Sequence, residues 1–151
     1  MKVSFGRIGI SRATIGALAL ALCASAGSNA WAESAPEAMD AHIQAISSAP
    51  ADLLIPQYAD GARLEWIGGP LDGAYEGADA IGEAWNRFIS ARGVMTAELQ
   101  SYDVSENPRG RTVIASVIFR NDKTIPVRII TTYREGVIAS EIWQIDPAML
   151  D

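Results

Sequence analysis

The hydrophobic pattern of the chain changes its period near Val94, and this change constrains the fold more than any other feature. Before it, apolar residues recur at helical spacing, and after it β-branched residues recur with a period of two. Four strand-length runs follow, separated by short polar turns, at residues 94–102, 111–120, 125–134 and 137–145. The pattern predicts consecutive antiparallel strands, and therefore an α+β fold with helices on one face of a curved sheet.

Three helices are predicted ahead of these strands. The first begins at a capping box formed by Ser34 and Glu37, and its apolar residues recur at helical spacing: Met39, Ile43 and Ile46. The second is short, covers residues 52–58 and is interrupted by Pro56. After a strand at residues 62–67, the third helix begins at Asp79, ends at Gly93 and has one apolar face: Ile81, Trp85 and Phe88.

The first 32 residues have the pattern of a secretory signal peptide. Three basic residues precede an apolar run at residues 13–24, and Ala30 and Ala32 are the small residues that a signal peptidase requires. The run is shorter than the roughly 20 apolar residues of a membrane-spanning helix. We therefore expect cleavage, a single domain at residues 33–151, a secreted or periplasmic location and no stable membrane anchor. Cleavage after Ala26 is an alternative, and a lipoprotein cut before Cys23 is disfavoured by Leu22.

Removal of this segment leaves an acidic chain without cysteine. It takes three of the 12 basic residues and none of the 18 acidic ones, so nine basic residues remain against 18 acidic ones. Nucleic acids and anionic lipids need clustered Lys and Arg, so neither is expected as a partner. Cys23 is lost and His42 is the single histidine, so no metal site and no cofactor is predicted.

Three segments carry a resemblance to a known superfamily: Tyr58-Ala59-Asp60, Gly73-Ala74-Tyr75-Glu76-Gly77 before a helix, and residues 133–138 leading to Trp143 and Asp146. In this order they resemble the nuclear transport factor 2-like superfamily, which includes the SnoaL-like polyketide cyclases and the ketosteroid isomerases. The resemblance implies a cone-shaped fold in which three N-terminal helices pack in a curved antiparallel sheet. None of the segments is a catalytic motif.

Two carboxylates come into question as catalytic groups. By the resemblance, Trp66 occupies the position where ketosteroid isomerases carry a carboxylate base, so that base is missing. Glu65 lies next to it but points to the opposite face of its strand, and we expect it to be solvated or at an interface. Glu141 is the catalytic candidate, because a desolvated carboxylate beside Trp143 can act as a general acid or base. A surface position, or a salt bridge to a neighbouring arginine, is the alternative for Glu141.

His42 is expected at the boundary between the buried and exposed faces of the first helix, as is usual for a lone helical histidine. A role in a functional site is the alternative.

The aromatic residues form a second set of candidates. Trp85 and Phe88 are expected in the core, and four others are predicted to line an apolar cavity and bind a small hydrophobic molecule: Tyr58, Trp66, Tyr75 and Trp143. Filling the core is the alternative for these four.

The strands at residues 113–119 and 125–130 are apolar on both faces. A strand with one solvent-exposed face has polar residues at alternate positions, and these strands do not. A second copy of the chain is therefore predicted to cover the face that the helices leave open, which gives a homodimer. The sequence favours an exported small-molecule-binding protein. The alternatives are a SnoaL-like isomerase, cyclase or hydrolase using acid–base catalysis, and a protein-interaction domain.

Overall fold

The computed structural model describes residues 34–48 and 50–151, and the predicted signal peptide lies outside them. Two α-helices, α1 (Ala35–Ser48) and α2 (Gly77–Arg92), pack against a six-stranded sheet. The strands are β1 (Tyr58–Ile67), β2 (Gly73–Glu76), β3 (Thr96–Asn107), β4 (Gly110–Arg120), β5 (Thr124–Arg134) and β6 (Val137–Ile145). Short 3-10 turns at Ala51–Leu53, Ile55–Gln57 and Pro147–Leu150 complete the described elements.

The sheet has the order β2-β1-β6-β5-β4-β3. The strands β3 to β6 pair antiparallel with their neighbours in sequence, as the turn pattern predicts. The prediction of a wholly antiparallel sheet is wrong, because β1 pairs with β6 in parallel. These two strands are far apart in the chain, so no turn between them could indicate their direction. The glycine-rich segment before α2 is also more than a turn, since it forms β2 against β1.

The helices differ from the prediction at their ends. The capping box of α1 forms, with Glu37 N–H donating to Ser34 Oγ at 3.4 Å and Ser34 N–H donating to Glu37 Oε2 at 2.9 Å. The second predicted helix forms as two 3-10 turns with a break near Pro56, as predicted, because proline lacks the N–H that a continuous helix needs. Its last predicted residue, Tyr58, belongs to β1 instead. The third helix starts at Gly77, two residues before Asp79, and ends at Gly93 as predicted.

Strand alternation divides the sheet into an inner face and an outer face. The inner face contacts the two helices and contributes a continuous core that includes Leu64, Trp66, Val117, Ile129 and Trp143. On the outer face, side chains such as Ile114, Ile130 and Ile142 are only partly buried. In residues 34–48 and 50–151, neither helix has the length and hydropathy needed to cross a membrane.

Candidate functional site

Polar side chains from three elements meet in the interior around Glu141. The carboxylate belongs to β6, on the inner face between the helices and the sheet, and the residue is 1% exposed. His42 of α1 is 0% exposed and brings Nε2 to 3.0 Å from Glu141 Oε2, an ion-pair distance. Tyr58 at the start of β1 donates its hydroxyl to the same oxygen at 2.6 Å. A carboxylate thus lies in the core with a histidine and a phenol on one of its two oxygens.

The direction of each hydrogen bond around Glu141 is fixed by neighbouring groups that can only donate, an indole N–H and an amide N–H. The indole N–H of Trp85 can donate but not accept, and it donates to the Tyr58 hydroxyl at 2.9 Å, so that hydroxyl donates onward to Glu141. On the other side, Gln57 Nε2 donates to the Leu53 carbonyl at 3.0 Å. Gln57 Oε1 therefore accepts from His42 Nδ1–H at 2.7 Å.

This arrangement determines the state of the histidine. Nδ1 of His42 carries a proton for Gln57, and Nε2 faces a carboxylate oxygen, so their contact is attractive only with a second proton between them. Burial lowers the pKa of His42, but attraction to Glu141 and the contact with Gln57 outweigh it, so the pKa is raised above 6.5. At pH values below this raised pKa the site holds an imidazolium beside a carboxylate. Burial and the same carboxylate raise the pKa of Tyr58 well above 10.0, so its phenol stays protonated.

Three buried polar atoms near this cluster lack a hydrogen-bond partner in the described part of the chain: Glu141 Oε1, Thr131 Oγ1 and Trp143 Nε1. Thr131 lies directly opposite Glu141 in the pairing of β5 and β6, and Trp143 is the next inward residue along β6. Because an unsatisfied buried polar atom costs about 1–3 kcal/mol, the atoms of this kind on the directly paired residues Glu141 and Thr131 mark a place for another polar group. They offer an acceptor and a hydroxyl.

The predicted aromatic residues lie in two different surroundings. Trp66 and Trp143 pack with ring centroids 5.1 Å apart and ring planes inclined by 34°. They contact α2 residues that were expected in the core, Trp85 and Phe88. Tyr58 joins the polar cluster described above. Tyr75 is half-buried on β2, where its hydroxyl donates to the Leu71 carbonyl at 2.7 Å. The aromatic residues therefore pack on one another, and the role predicted for these four in ligand binding stays a prediction.

A cavity of about 1020 Å³ opens at the end of the sheet, between the first turn of α1 and the inner face of β3 and β4. None of the four predicted ligand-binding residues lines it. Its walls combine apolar and polar side chains: Ala35, Pro36, Tyr102, Val104 and Pro108 with Ser34, Asp103, Glu106, Asn107 and Arg111. Its volume is at the top of the range of small-molecule sites, about 300–1,000 Å³.

The register of the sheet relates this cavity to Glu141. Arg111 lines the cavity and lies opposite Tyr133 on β5. Its guanidinium is 4.8 Å from the centre of the Tyr133 ring. Thr131 lies two residues from Tyr133 along β5, on the same face, and it is paired directly with Glu141. Because a strand rises about 3.3 Å per residue, roughly 7 Å separates the cavity wall from the row that holds Glu141.

Glu65 is partly exposed and contacts Arg63 at 3.1 Å, which confirms a solvated carboxylate. Across residues 34–48 and 50–151, no group of three or more His, Cys, Asp and Glu side chains is placed to hold a metal. The sequence interpretation missed the pairing of His42 with Glu141. A signal was present, because His42 follows Met39 by three residues and precedes Ile46 by four, which places it on the apolar face of α1.

No family model matches this sequence, and no curated protein matches it. Solved structures do. A nuclear transport factor 2-like protein of unknown function from Pseudomonas putida has a TM-score of 0.63 and 17% identity, over 77% of this chain and 88% of that one. A cystatin-like protein of unknown function from Nostoc punctiforme has a TM-score of 0.61 and 11% identity, over 75% and 89%. A candidate polyketide cyclase from Sinorhizobium meliloti has a TM-score of 0.50 and 19% identity, over 72% and 94%. At these identities the similarity shows the fold.

Proposed function

We propose that this chain, which has the nuclear transport factor 2-like fold, is an exported small-molecule-binding protein. The ligand's apolar body occupies the cavity between α1 and the β3–β4 hairpin, and its polar end reaches the row of Glu141. The observation that carries the proposal is the pair of buried polar atoms on that row, Glu141 Oε1 and Thr131 Oγ1, which have no hydrogen-bond partner among the described residues and lie about 7 Å along the strands from the cavity wall. A ligand hydroxyl suits this row, because it can donate to Glu141 Oε1 and accept from Thr131.

The apolar part of the ligand is supported by the cavity wall. Tyr102 is 48% exposed and, with Val104 and Pro36, offers an apolar surface that a flat hydrophobic molecule would cover. Arg111, Asp103 and Glu106 also line the cavity and provide polar contacts for the edges of the ligand. Of the predicted aromatic residues, Tyr58 and Trp143 lie nearest the polar end of the ligand, because Tyr58 donates to Glu141 and Trp143 is two residues from it on β6.

Thr131→Val tests the binding proposal most sharply. The substitution replaces a hydroxyl that has no partner within the described residues by a methyl group of the same shape, so the fold should keep its stability or gain some. A screen of apolar metabolites with and without a hydroxyl, read by thermal shift, should find ligands that stabilise the protein. Their stabilisation should fall in Thr131→Val and in Tyr102→Ala.

Leu99→Ala is the matched control, because Leu99 is a large exposed side chain of β3 that does not line the cavity. It should leave the ligand shift unchanged. A screen in which no compound stabilises the protein at saturating concentration contradicts the proposal. So does a ligand whose shift is insensitive to both Thr131→Val and Tyr102→Ala.

A second candidate function is acid–base catalysis of the SnoaL-like kind, as an isomerase, cyclase or hydrolase. It is favoured by the contact of His42 with Glu141, which leaves the other carboxylate oxygen uncommitted among the described residues. In this scheme Oε1 takes a proton from the substrate, and the charge on His42 stabilises Glu141 as the base. Glu141→Gln would remove the base while keeping the acceptor for Tyr58. An activity that survives this substitution rules out the mechanism.

We also propose that a second copy of the chain covers the outer face of the sheet. Ile114, Ile130 and Ile142 align in one row across β4, β5 and β6 and are only partly buried. Light scattering at micromolar concentration should give a dimer, and Ile130→Asp should give a monomer. A monomeric protein would contradict this, and capture of a different exported protein by the same face would support the interaction-domain alternative.

Export rests on the pattern of residues 1–32. Expression in a bacterium that has a periplasm should yield a protein in the periplasmic fraction whose first residue, read by mass spectrometry, is Glu33. Recovery of a chain that still begins at Met1 would contradict cleavage. An N-terminus at Gly27 would identify the alternative site after Ala26.

A further inference from the structure

A cleft of about 430 Å³ lies at the tip formed by the β3–β4 hairpin and the end of β5. It adjoins the cavity of the proposed function but also includes residues of the outer face of the sheet. Its lining is polar throughout: Ser105, Glu106, Asn107, Arg109, Gly110, Arg111, Thr112, Thr132 and Arg134. From these residues we infer a binding site for a small oxyanion, phosphate or sulfate, free or as the terminal group of a metabolite.

The charge of the cleft is opposite to that of the chain. After residue 32 the sequence has nine basic residues against 18 acidic ones, yet three of the nine line this one cleft. Glu106 is the single carboxylate among the lining residues. A local excess of guanidinium groups on an acidic protein attracts anions to this position and repels them from most of the remaining surface.

Arg134 is held with its planar group at the cleft. Its Nη1 donates to the carbonyl of Arg109 at 3.0 Å, which fixes the side chain against the hairpin. The hairpin itself is fixed, because the Arg109 N–H donates to Asn107 Oδ1 at 2.8 Å. A guanidinium has five N–H donors, so Arg134 retains donors for a ligand after this contact. Arg109 is exposed at the tip of the same turn and adds a second fork.

Hydroxyl groups complete the donor set. Ser105, Thr112 and Thr132 lie side by side across β3, β4 and β5 in the register of the sheet. The Oγ1 atoms of the two threonines are 3.5 Å apart. Charged guanidinium forks beside neutral hydroxyl donors are the contacts that bind tetrahedral oxyanions, because each oxygen accepts from several directions. The cleft thus matches phosphate and sulfate better than an apolar ligand.

Gly110 is needed for this arrangement. A Cβ at this position would lie 2.6 Å from the carbonyl oxygen of Tyr133 and 3.1 Å from Cδ of Arg134. The glycine therefore allows the backbone of β4 to approach β5 closely and leaves room for the Arg134 side chain to cross the turn. The cleft depends on this close approach.

The test is titration of the whole protein with inorganic phosphate, inorganic sulfate and phenyl phosphate, followed by calorimetry and by amide NMR shifts. Binding should shift the amides of residues 105–112 and 132–134, and sodium chloride at equal ionic strength should not. Arg109→Gln should weaken binding about tenfold, the effect of one lost charge-assisted contact. Tighter binding of phenyl phosphate than of both inorganic ions would identify a metabolite ester, and equal binding would identify a free ion.

Arg87→Gln is the matched control, since Arg87 is an arginine on α2 that stacks on Tyr75 away from the cleft. It should leave phosphate affinity within about twofold. Equal weakening by Arg87→Gln and Arg109→Gln would reduce the effect to net charge and overturn the inference. So would amide shifts spread over the whole surface, or no shift at millimolar phosphate. None of these results would bear on the proposed function, because Thr131 does not line the cleft and its effect in the metabolite screen is measured separately.

Discussion

His42 on α1 and Glu141 on β6 lie 3.0 Å apart in the interior, and their side chains are both fully buried. The contact joins the first helix to the last strand through opposite charges, whereas most of the surrounding core is apolar. A buried pair of this kind is weak evidence for stability, because desolvation offsets much of the attraction. Removal of one partner, in contrast, leaves a buried charge uncompensated, and this asymmetry makes the pair testable.

The stability of the protein should depend on pH through His42. The pKa of His42 is raised in the folded protein, so protonation is tighter in the folded state than in the unfolded one. The contribution is complete below the unfolded value of 6.5 and is lost as pH rises through the folded pKa. Urea unfolding followed from about pH 5.5 to about pH 9 should show a free energy of unfolding that decreases above the unfolded pKa of the imidazole.

His42→Gln should remove this dependence, because glutamine does not titrate and can still contact Gln57 and Glu141. A decrease of the same size in His42→Gln would assign it to other groups. His42 is the single histidine of the chain, which keeps the comparison free of competing imidazoles.

A double-mutant cycle should show strong coupling between the two residues. His42→Ala and Glu141→Ala should each cost about 3–5 kcal/mol of unfolding free energy, because each leaves a buried charge without its partner. The double mutant should cost less than the sum, by about 1–3 kcal/mol, the range for residues in direct contact. Urea denaturation of the four proteins in mildly acidic buffer measures the cycle, and additive costs would contradict the ion pair.

The elements that follow local rules could be predicted from the sequence. The capping box of α1, the apolar face of α2 and the antiparallel order of β3 to β6 all depend on residues close together in the chain. The predicted strand at residues 137–145 matches β6 in both bounds. The alternation of residues along β6 predicted that Glu141 and Trp143 share one face of the strand, and both are buried on the inner face, which the sequence alone had left open for Glu141.

The parts that depend on contacts distant in the chain could not be predicted. The parallel pairing of β1 with β6 brings Leu64 beside Glu141, and no spacing in the sequence specifies it. The sequence offered arginines of the neighbouring strand as partners of Glu141. The structure pairs Glu141 with His42 of α1 instead, because the inward face of β6 meets the helices. The sequence also did not decide whether the interior is filled or contains a cavity, because indole rings such as Trp66 and Trp143 fill a core as readily as they line a cavity.

Trp143 should be a structural residue whatever ligand the protein binds. It is fully buried and contacts Trp66, Trp85, Phe88 and Phe119 at centroid distances of 5.1–5.6 Å. Trp143→Ala should therefore cost about 3–5 kcal/mol of unfolding free energy, the cost of a large cavity in a core. Tyr102→Ala, at an exposed position, should change it by about 0.5 kcal/mol or less. Chemical denaturation compares the two, and a small effect at Trp143 would mean that the core closes around the lost ring.

Gly110 and Gly61 give a matched pair for the close approach of β4 and β5. Neither has a positive φ, so alanine is acceptable to the backbone at both positions. The added Cβ at Gly110 would lie 2.6 Å from the Tyr133 carbonyl oxygen, and this backbone atom cannot move without disturbing the pairing of the strands. At Gly61 nothing lies within 4 Å. Gly110→Ala should therefore cost about 1–3 kcal/mol, and thermal unfolding should show a lower Tm than for Gly61→Ala. Equal Tm values for the two variants would show that the hairpin shifts freely, and the geometry derived for Arg134 would then be wrong.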